Sequence, residues 1–140
     1  GNDAWQHYTK ICPAWIRDQQ LHKVEPYVYC QMVAGKDAAR PGEGKTSWLT
    51  GTAAWNWLTV TQHILGIRPT YDGLEIDPCI PSTLKEYTVH RVLRGAEFDI
   101  TVKNPDSKQS GIKTILIDGT YVQGNVIKAT PGHHVVEVIM

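Results

Sequence analysis

Ala96-Glu97-Phe98-Asp99-Ile100-Thr101-Val102-Lys103 alternates apolar and polar side chains without a break. A strand would therefore set Ala, Phe, Ile and Val on one face and the polar residues on the other. The same period recurs outward from it. Upstream, Leu74-Glu75-Ile76-Asp77 alternates until Pro78 stops it. Downstream, Lys113-Thr114-Ile115-Leu116-Ile117 runs into Asp118-Gly119, a hairpin signal, and on to Thr120-Tyr121-Val122, and His134 to Met140 reads as a terminal strand. With turns at Asn104-Pro105 and Pro131-Gly132, residues from about 74 onward are expected to form a small antiparallel β-sandwich.

Before residue 66 the period is helical. Trp5, Tyr8, Thr9, Ile11 and Cys12 recur at helical spacing until Pro13. A second helix is expected from Pro26, with Glu25 near its start, Tyr29, Met32 and Val33 on one side, and Gly35 as its stop. Gly35 to Ser47, rich in Gly, Pro and charge, reads as a loop. A third helix, from about Thr50 to Leu65, carries Ala53, Ala54, Trp57, Leu58, Thr61, Ile64 and Leu65 and closes at Gly66. Helices followed by strands make the fold class α+β.

The chain has 140 residues, 41% hydrophobic and 20% charged, enough for one ordinary domain with a real core. Fourteen basic residues balance fourteen acidic ones, and no basic stripe favours nucleic acid or an anionic membrane surface. No spanning apolar run and no leader pattern are visible, so the expected location is the cytoplasm, without a membrane partner. Cys12, Cys30 and Cys79 are too scattered for a tetrahedral metal set and read as buried reduced thiols. His133 and His134 should point to opposite faces of a strand, which argues against both binding one metal.

Candidate chemistry centres on Ser47-Trp48-Leu49-Thr50-Gly51-Thr52-Ala53-Ala54-Trp55, where hydroxyls and a glycine open an apolar helix. Two readings fit. Thr50 is a simple N-cap, or the free N–H groups and positive dipole end hold an anion such as phosphate. Ala39 to Thr46 fits a permissive phosphate-loop pattern ending in Lys45-Thr46, but a βαβ context is absent and Pro41 removes one N–H from the nest. Glu75 and Asp77 share a strand face and read as solvated, and Ser47 has no paired His by spacing. Trp48, Trp55, Trp57, Tyr27, Tyr29 and Gln31 make a mixture that suits sugars, although Trp55 and Trp57 at helical spacing also read as core.

Four blocks carry a resemblance: Glu25-Pro26-Tyr27-Val28-Tyr29-Cys30-Gln31-Met32-Val33-Ala34-Gly35-Lys36-Asp37-Ala38, Ser47 to Ala53, Ile64-Leu65-Gly66-Ile67-Arg68-Pro69-Thr70-Tyr71-Asp72-Gly73-Leu74, and Ile76-Asp77-Pro78-Cys79-Ile80-Pro81. In this order they resemble the C-terminal end of the inverting glycoside phosphorylases of the cellobiose and chitobiose phosphorylase family. The resemblance implies phosphorolysis of a β-linked disaccharide, with cellobiose expected, to an α-sugar 1-phosphate and a free sugar. It implies no metal or organic cofactor, inorganic phosphate being the co-substrate. It places Thr50 and Gly51 on the phosphate and Gln31 at the glycone subsite.

The resemblance also implies that residues 1–66 are the last helices of an (α/α)6 catalytic barrel and residues 67–140 a C-terminal β-sandwich. The general acid Asp, and the Arg and His that complete the phosphate site, would lie upstream of residue 1. The expected partner is then the remainder of the same enzyme, a homodimer when complete, and residues 1–66 should expose an apolar face. The alternative is a non-catalytic carbohydrate-binding or structural β-sandwich module.

Overall fold

Strand period dictates the second half of the chain. In the computed structural model, which describes residues 1–140, β5 (Glu86–Leu93) and β6 (Ala96–Lys103) form a hairpin in register from Leu93 opposite Ala96 to Glu86 opposite Lys103. Arg94 and Gly95 close it with φ of 51° and 83°, the left-handed pair that a two-residue turn requires. Asp118-Gly119 turns β7 (Thr114–Ile117) into β8 (Thr120–Tyr121) in the same way, with φ of 48° and 78°. Along β6, Ala96, Phe98, Ile100 and Val102 are buried while Glu97, Asp99 and Lys103 are exposed.

The chain divides into two compact units, one of Gly1–Trp5 with Val60–Met140 and one of Gln6–Thr59. In the first, a five-stranded sheet runs β5-β6-β10-β7-β8, with β10 at Gly132–Ile139. A three-stranded antiparallel sheet joins β3 (Ile67–Pro69), β4 (Leu74–Ile76) and β9 (Val126–Ile127). Leu74, Ile76, Ile80, Phe98, Val102, Val136, Val138 and Met140 have no exposed surface and form the core. Each large apolar side chain so buried contributes about 1.5–3 kcal/mol. Asn104 is equally buried, yet satisfied: its amide donates to the carbonyls of Leu84 (3.1 Å) and Lys108 (2.8 Å) and accepts from the Lys108 N–H (2.8 Å).

The expectation of an antiparallel array is corrected at one seam. β10 pairs antiparallel with β7 but parallel with β6, from Gly132 beside Ala96 to Ile139 beside Lys103. Alternation fixes which face a residue takes but not strand direction, and the long excursion through β7, β8 and β9 brings β10 back alongside β6.

In the second unit the corrections are larger. The expected helix from Pro26 is absent: Cys30–Val33 is strand β1, paired antiparallel with β2 (Gly44–Ser47), which occupies the end of the expected loop. Tyr, Val and Cys residues around position 30 suit a pleated strand once a partner lies opposite, and the register sets Cys30 opposite Ser47, 17 residues further along the chain. Helix α1 (Asn2–Ile11) ends before Pro13 as expected, followed by a 3-10 turn (Pro13–Trp15) and a single turn α2 (Gln19–His22).

The third helix, α3 (Thr52–Leu58), begins two residues later than expected and continues as wider π-helical turns over Thr59–Ile64, with the Leu65 N–H on the Val60 carbonyl at 2.8 Å. Gly66 ends the run at φ +69°, where a Cβ would lie 2.2 Å from the Asp77 carbonyl oxygen. Trp55 and Trp57 are not core: they are 72% and 65% exposed, and Asn56 is the buried residue of α3. No helix is long and apolar enough to cross a membrane.

Candidate functional site

The chain between β2 and α3 is shaped by two left-handed non-glycine residues, Thr46 at φ 56° and Trp48 at φ 69°. Each such residue costs about 1–2 kcal/mol, so the surroundings must hold it. Gly51 is the N-cap of α3, and the Trp55 N–H donates to its carbonyl at 3.1 Å. Thr50 therefore stands one residue before the N-cap rather than on it. Its Oγ1 accepts from the Thr52 N–H at 3.1 Å and shares a 2.6 Å hydrogen bond with Thr52 Oγ1.

Gly51 has φ −80° and ψ 0°, a conformation open to any L residue. A Cβ there would meet Trp55 Cδ1 at 3.5 Å and Nε1 at 3.7 Å, ordinary van der Waals contact. Nothing in the chain itself demands glycine at this position.

Gln31 is exposed on β1 and lines a cavity of about 440 Å³ together with Tyr29, His22, Lys10 and Thr52. Thr50 lines a second cavity of about 180 Å³ with Tyr27, Tyr29, Trp48 and Ala53. Tyr29 borders both, and the Thr50–Thr52 hydroxyl pair joins the two walls. The sequence sets Thr52 in the candidate Ser47–Trp55 stretch and Tyr29 in the aromatic mixture, but assigns neither of them a ligand contact. The hydroxyl after Gly51 was the signal for the first, and the Tyr-x-Gln spacing for the second. Burial pushes the Tyr29 phenol well above its ordinary range, with hydrogen bonds to Tyr8 and Cys12 adding to the shift, so it is a neutral hydroxyl at all ordinary pH.

Two carboxylates support this region. The Trp48 indole N–H donates to Glu25 Oε1 at 3.0 Å, and this bond first, with Ser47 also contributing, holds the Glu25 carboxyl below the usual carboxylate range. Tyr27 meets the Trp48 ring edge-on, with centroids 6.2 Å apart at 69°. Glu43 accepts from Lys45 (2.8 Å) and Lys23 (3.1 Å), and these two lysines pull its carboxyl down to about 2, while Arg40 stands further off at 3.9 Å. Lys45 is thus an ion-pair partner on a strand. A phosphate loop would need Lys45-Thr46 to open a helix, and the β2 strand there excludes that geometry.

The other candidates lie apart. Glu75 is bonded by Arg68 at 2.7 Å, whereas Asp77 is exposed. His133 bonds Asp99 (2.8 Å) and His134 bonds Asp118 (2.7 Å), so the adjacent rings take different partners. Of the three thiols only Cys12 is buried, Cys30 and Cys79 being half-buried. Around the candidate contacts the surface is apolar: Met32, Trp48, Leu49, Trp55 and Trp57 are each more than half exposed.

Residues 1–66 match the family model described as the Glycosyl hydrolase 94 superfamily, catalytic domain. The chain is 39% identical over 127 residues to a solabiose phosphorylase of Paenibacillus borealis, and 42% identical over 127 residues to an N,N'-diacetylchitobiose phosphorylase of Vibrio proteolyticus. Both similarities cover 90% of this chain. A second N,N'-diacetylchitobiose phosphorylase, of Vibrio furnissii, is 36% identical over 94% of it. The chain spans about a sixth of the length of these curated relatives, 16% in each case. The catalytic-domain match over residues 1–66, and similarity that runs through nine-tenths of the chain but spans 16% of the relatives, fit a C-terminal fragment of a Glycosyl hydrolase 94 superfamily enzyme.

Proposed function

We propose that these residues form the C-terminal part of an inverting glycoside phosphorylase, which splits a β-linked disaccharide with inorganic phosphate into an α-sugar 1-phosphate and a free sugar. The observation that carries the reading is the similarity over 90% of the chain to two disaccharide phosphorylases of which it spans 16%. In the reaction a phosphate oxygen attacks the anomeric carbon, the glycosidic C–O bond breaks on the opposite face, and a general acid gives its proton to the departing oxygen. Phosphate takes the place of the water of an inverting hydrolase, so one carboxyl suffices.

In this reading the Thr50 hydroxyl and the backbone at Gly51 contact the phosphate, and Gln31 contacts the glycone hydroxyls. A glycine whose own chain does not require it, beside a paired hydroxyl, supports the first assignment: it leaves room for close approach of an anion to the backbone. The exposed amide of Gln31, on a cavity wall shared with Tyr29 and Thr52, supports the second. The general acid and the remaining phosphate ligands belong to the rest of the same enzyme, which covers the exposed apolar residues of the second unit. The working form is a cytoplasmic homodimer that uses no metal. Cellobiose is the expected disaccharide.

The test is to incubate the native preparation with phosphate and, separately, cellobiose, N,N'-diacetylchitobiose and solabiose, recording intact masses beside the products. An α-sugar 1-phosphate formed by a preparation containing the longer chain is the expected result. Two free sugars with no sugar phosphate would overturn phosphorolysis, and sugar phosphate from the 140 residues alone would overturn the placement of the general acid.

A further inference from the structure

Trp48 combines features that do not sustain one another. Its backbone lies in the left-handed region at φ 69°, yet its side chain is 64% exposed, so packing does not hold the residue in a conformation that tryptophan avoids. Two contacts remain. The indole N–H donates to Glu25 Oε1 at 3.0 Å across 23 residues of sequence, and the Tyr27 ring, itself 73% exposed, meets the indole edge-on. Glu25 is anchored independently, since the Val28 N–H donates to its carbonyl at 3.0 Å and Val28 is buried. From Trp48 the chain has two peptide steps to Thr50, whose hydroxyl is already committed to Thr52 in a defined direction.

We propose that Glu25 is a positioning residue: by holding the Trp48 indole it fixes the left-handed turn that presents Thr50 and Gly51, and so sets the enzyme's grip on phosphate. The inference rests on the assignment of Thr50 and Gly51 to phosphate given above. Glu25 touches no reacting atom in this account. Its carboxylate acts as an acceptor, which a Gln carbonyl oxygen can replace and an Ala methyl cannot.

The experiment uses the complete enzyme and measures initial rates against phosphate at saturating disaccharide, and against disaccharide at saturating phosphate, for Glu25→Ala, Glu25→Gln, Trp48→Phe and Thr50→Ala. Glu25→Ala and Trp48→Phe should each raise the KM for phosphate about tenfold, with the disaccharide KM within about twofold of the parent. Glu25→Gln should return the phosphate KM most of the way. A rise in both KM values together, or no rescue by Gln, overturns the proposal, because the first is general loosening and the second makes charge rather than the hydrogen bond responsible. If Thr50→Ala raises the phosphate KM while Glu25→Ala and Trp48→Phe do not, the positioning role alone is overturned. If Thr50→Ala leaves it unchanged, the phosphate assignment falls and this inference with it. Should Glu25→Ala fail to fold, Trp48→Phe against Glu25→Gln decides the same question.

Discussion

Gly51→Ala separates a site residue from a structural one more cleanly than any other change in the chain. The backbone at Gly51 needs no glycine, and the added methyl meets Trp55 at 3.5 Å, within ordinary contact. Two small effects on stability then oppose each other. Alanine is a poorer N-cap than glycine, by about 0.5–1 kcal/mol, and it also restricts the unfolded chain, which stabilises by about 0.4–1 kcal/mol. The net change should lie within about 0.5 kcal/mol of zero, read as an unchanged urea midpoint at unchanged slope. Phosphate handling should respond otherwise, because a methyl placed where an anion approaches the backbone costs contact and hydrogen-bond geometry together. Loss of one charge-assisted bond, about 1.5–3 kcal/mol, corresponds to a rise in phosphate KM of about 10- to 150-fold. The assay is phosphorolysis by the complete enzyme over a phosphate series. A normal phosphate KM would refute the assignment of Gly51, and a large stability loss would refute the conformational argument.

Three further outcomes are expected from the packing and hydrogen bonds described above. Asn104→Ala removes three hydrogen bonds from a site with no exposure and should lower the protection of β6 amides in native-state hydrogen exchange by about 2–4 kcal/mol, a change under about 1 kcal/mol counting against it. Hydrogen bonds to Asp99 and Asp118 raise His90 and His134 above 6.5 and lower the two aspartates below 3.8. The histidine contribution is complete below 6.5 and lost as pH rises through the folded values, and the aspartate contribution is complete above 3.8 and lost as pH falls, so the thermal midpoint should be highest between those limits. A midpoint still rising at pH 8 would contradict this. Gln31→Ala should raise the disaccharide KM while leaving the phosphate KM near normal, and the reverse pattern in steady-state kinetics would place Gln31 elsewhere.

The sheet of the first unit was legible because its signals are local. Strict alternation in Ala96–Lys103 sets the buried face by itself, and Asp118-Gly119 carries its turn in two residues. The parallel seam between β6 and β10 was not legible, since it joins residues about 36 apart whose alternation is silent on direction. The misread helix at Pro26 has the same cause. Tyr29, Met32 and Val33 fit a helical face as well as a strand, and only the partner at Gly44–Ser47 decides. Of the candidate site, Thr50 and Gly51 were visible as a helix start, whereas Glu25 gains its importance from a contact with Trp48, 23 residues away, that spacing does not reveal.

Charge limits what these residues can do unaided. A phosphate near neutral pH carries more than one negative charge, and the groups assigned to it here, a hydroxyl and backbone at a helix start, orient an anion without neutralising it. Lys45, the cation closest in sequence to Thr50, is held with Lys23 by Glu43, whose carboxyl stays ionised down to about 2. Lys10, on the wall of the Gln31 cavity, is the cation bordering the candidate contacts. The 140 residues alone should therefore bind phosphate only at millimolar concentrations or weaker, as read by titration of their tryptophan fluorescence. A micromolar constant, abolished by Thr50→Ala, would mean that the site is complete within this chain and that the cations needed for phosphate do not come from elsewhere in the enzyme.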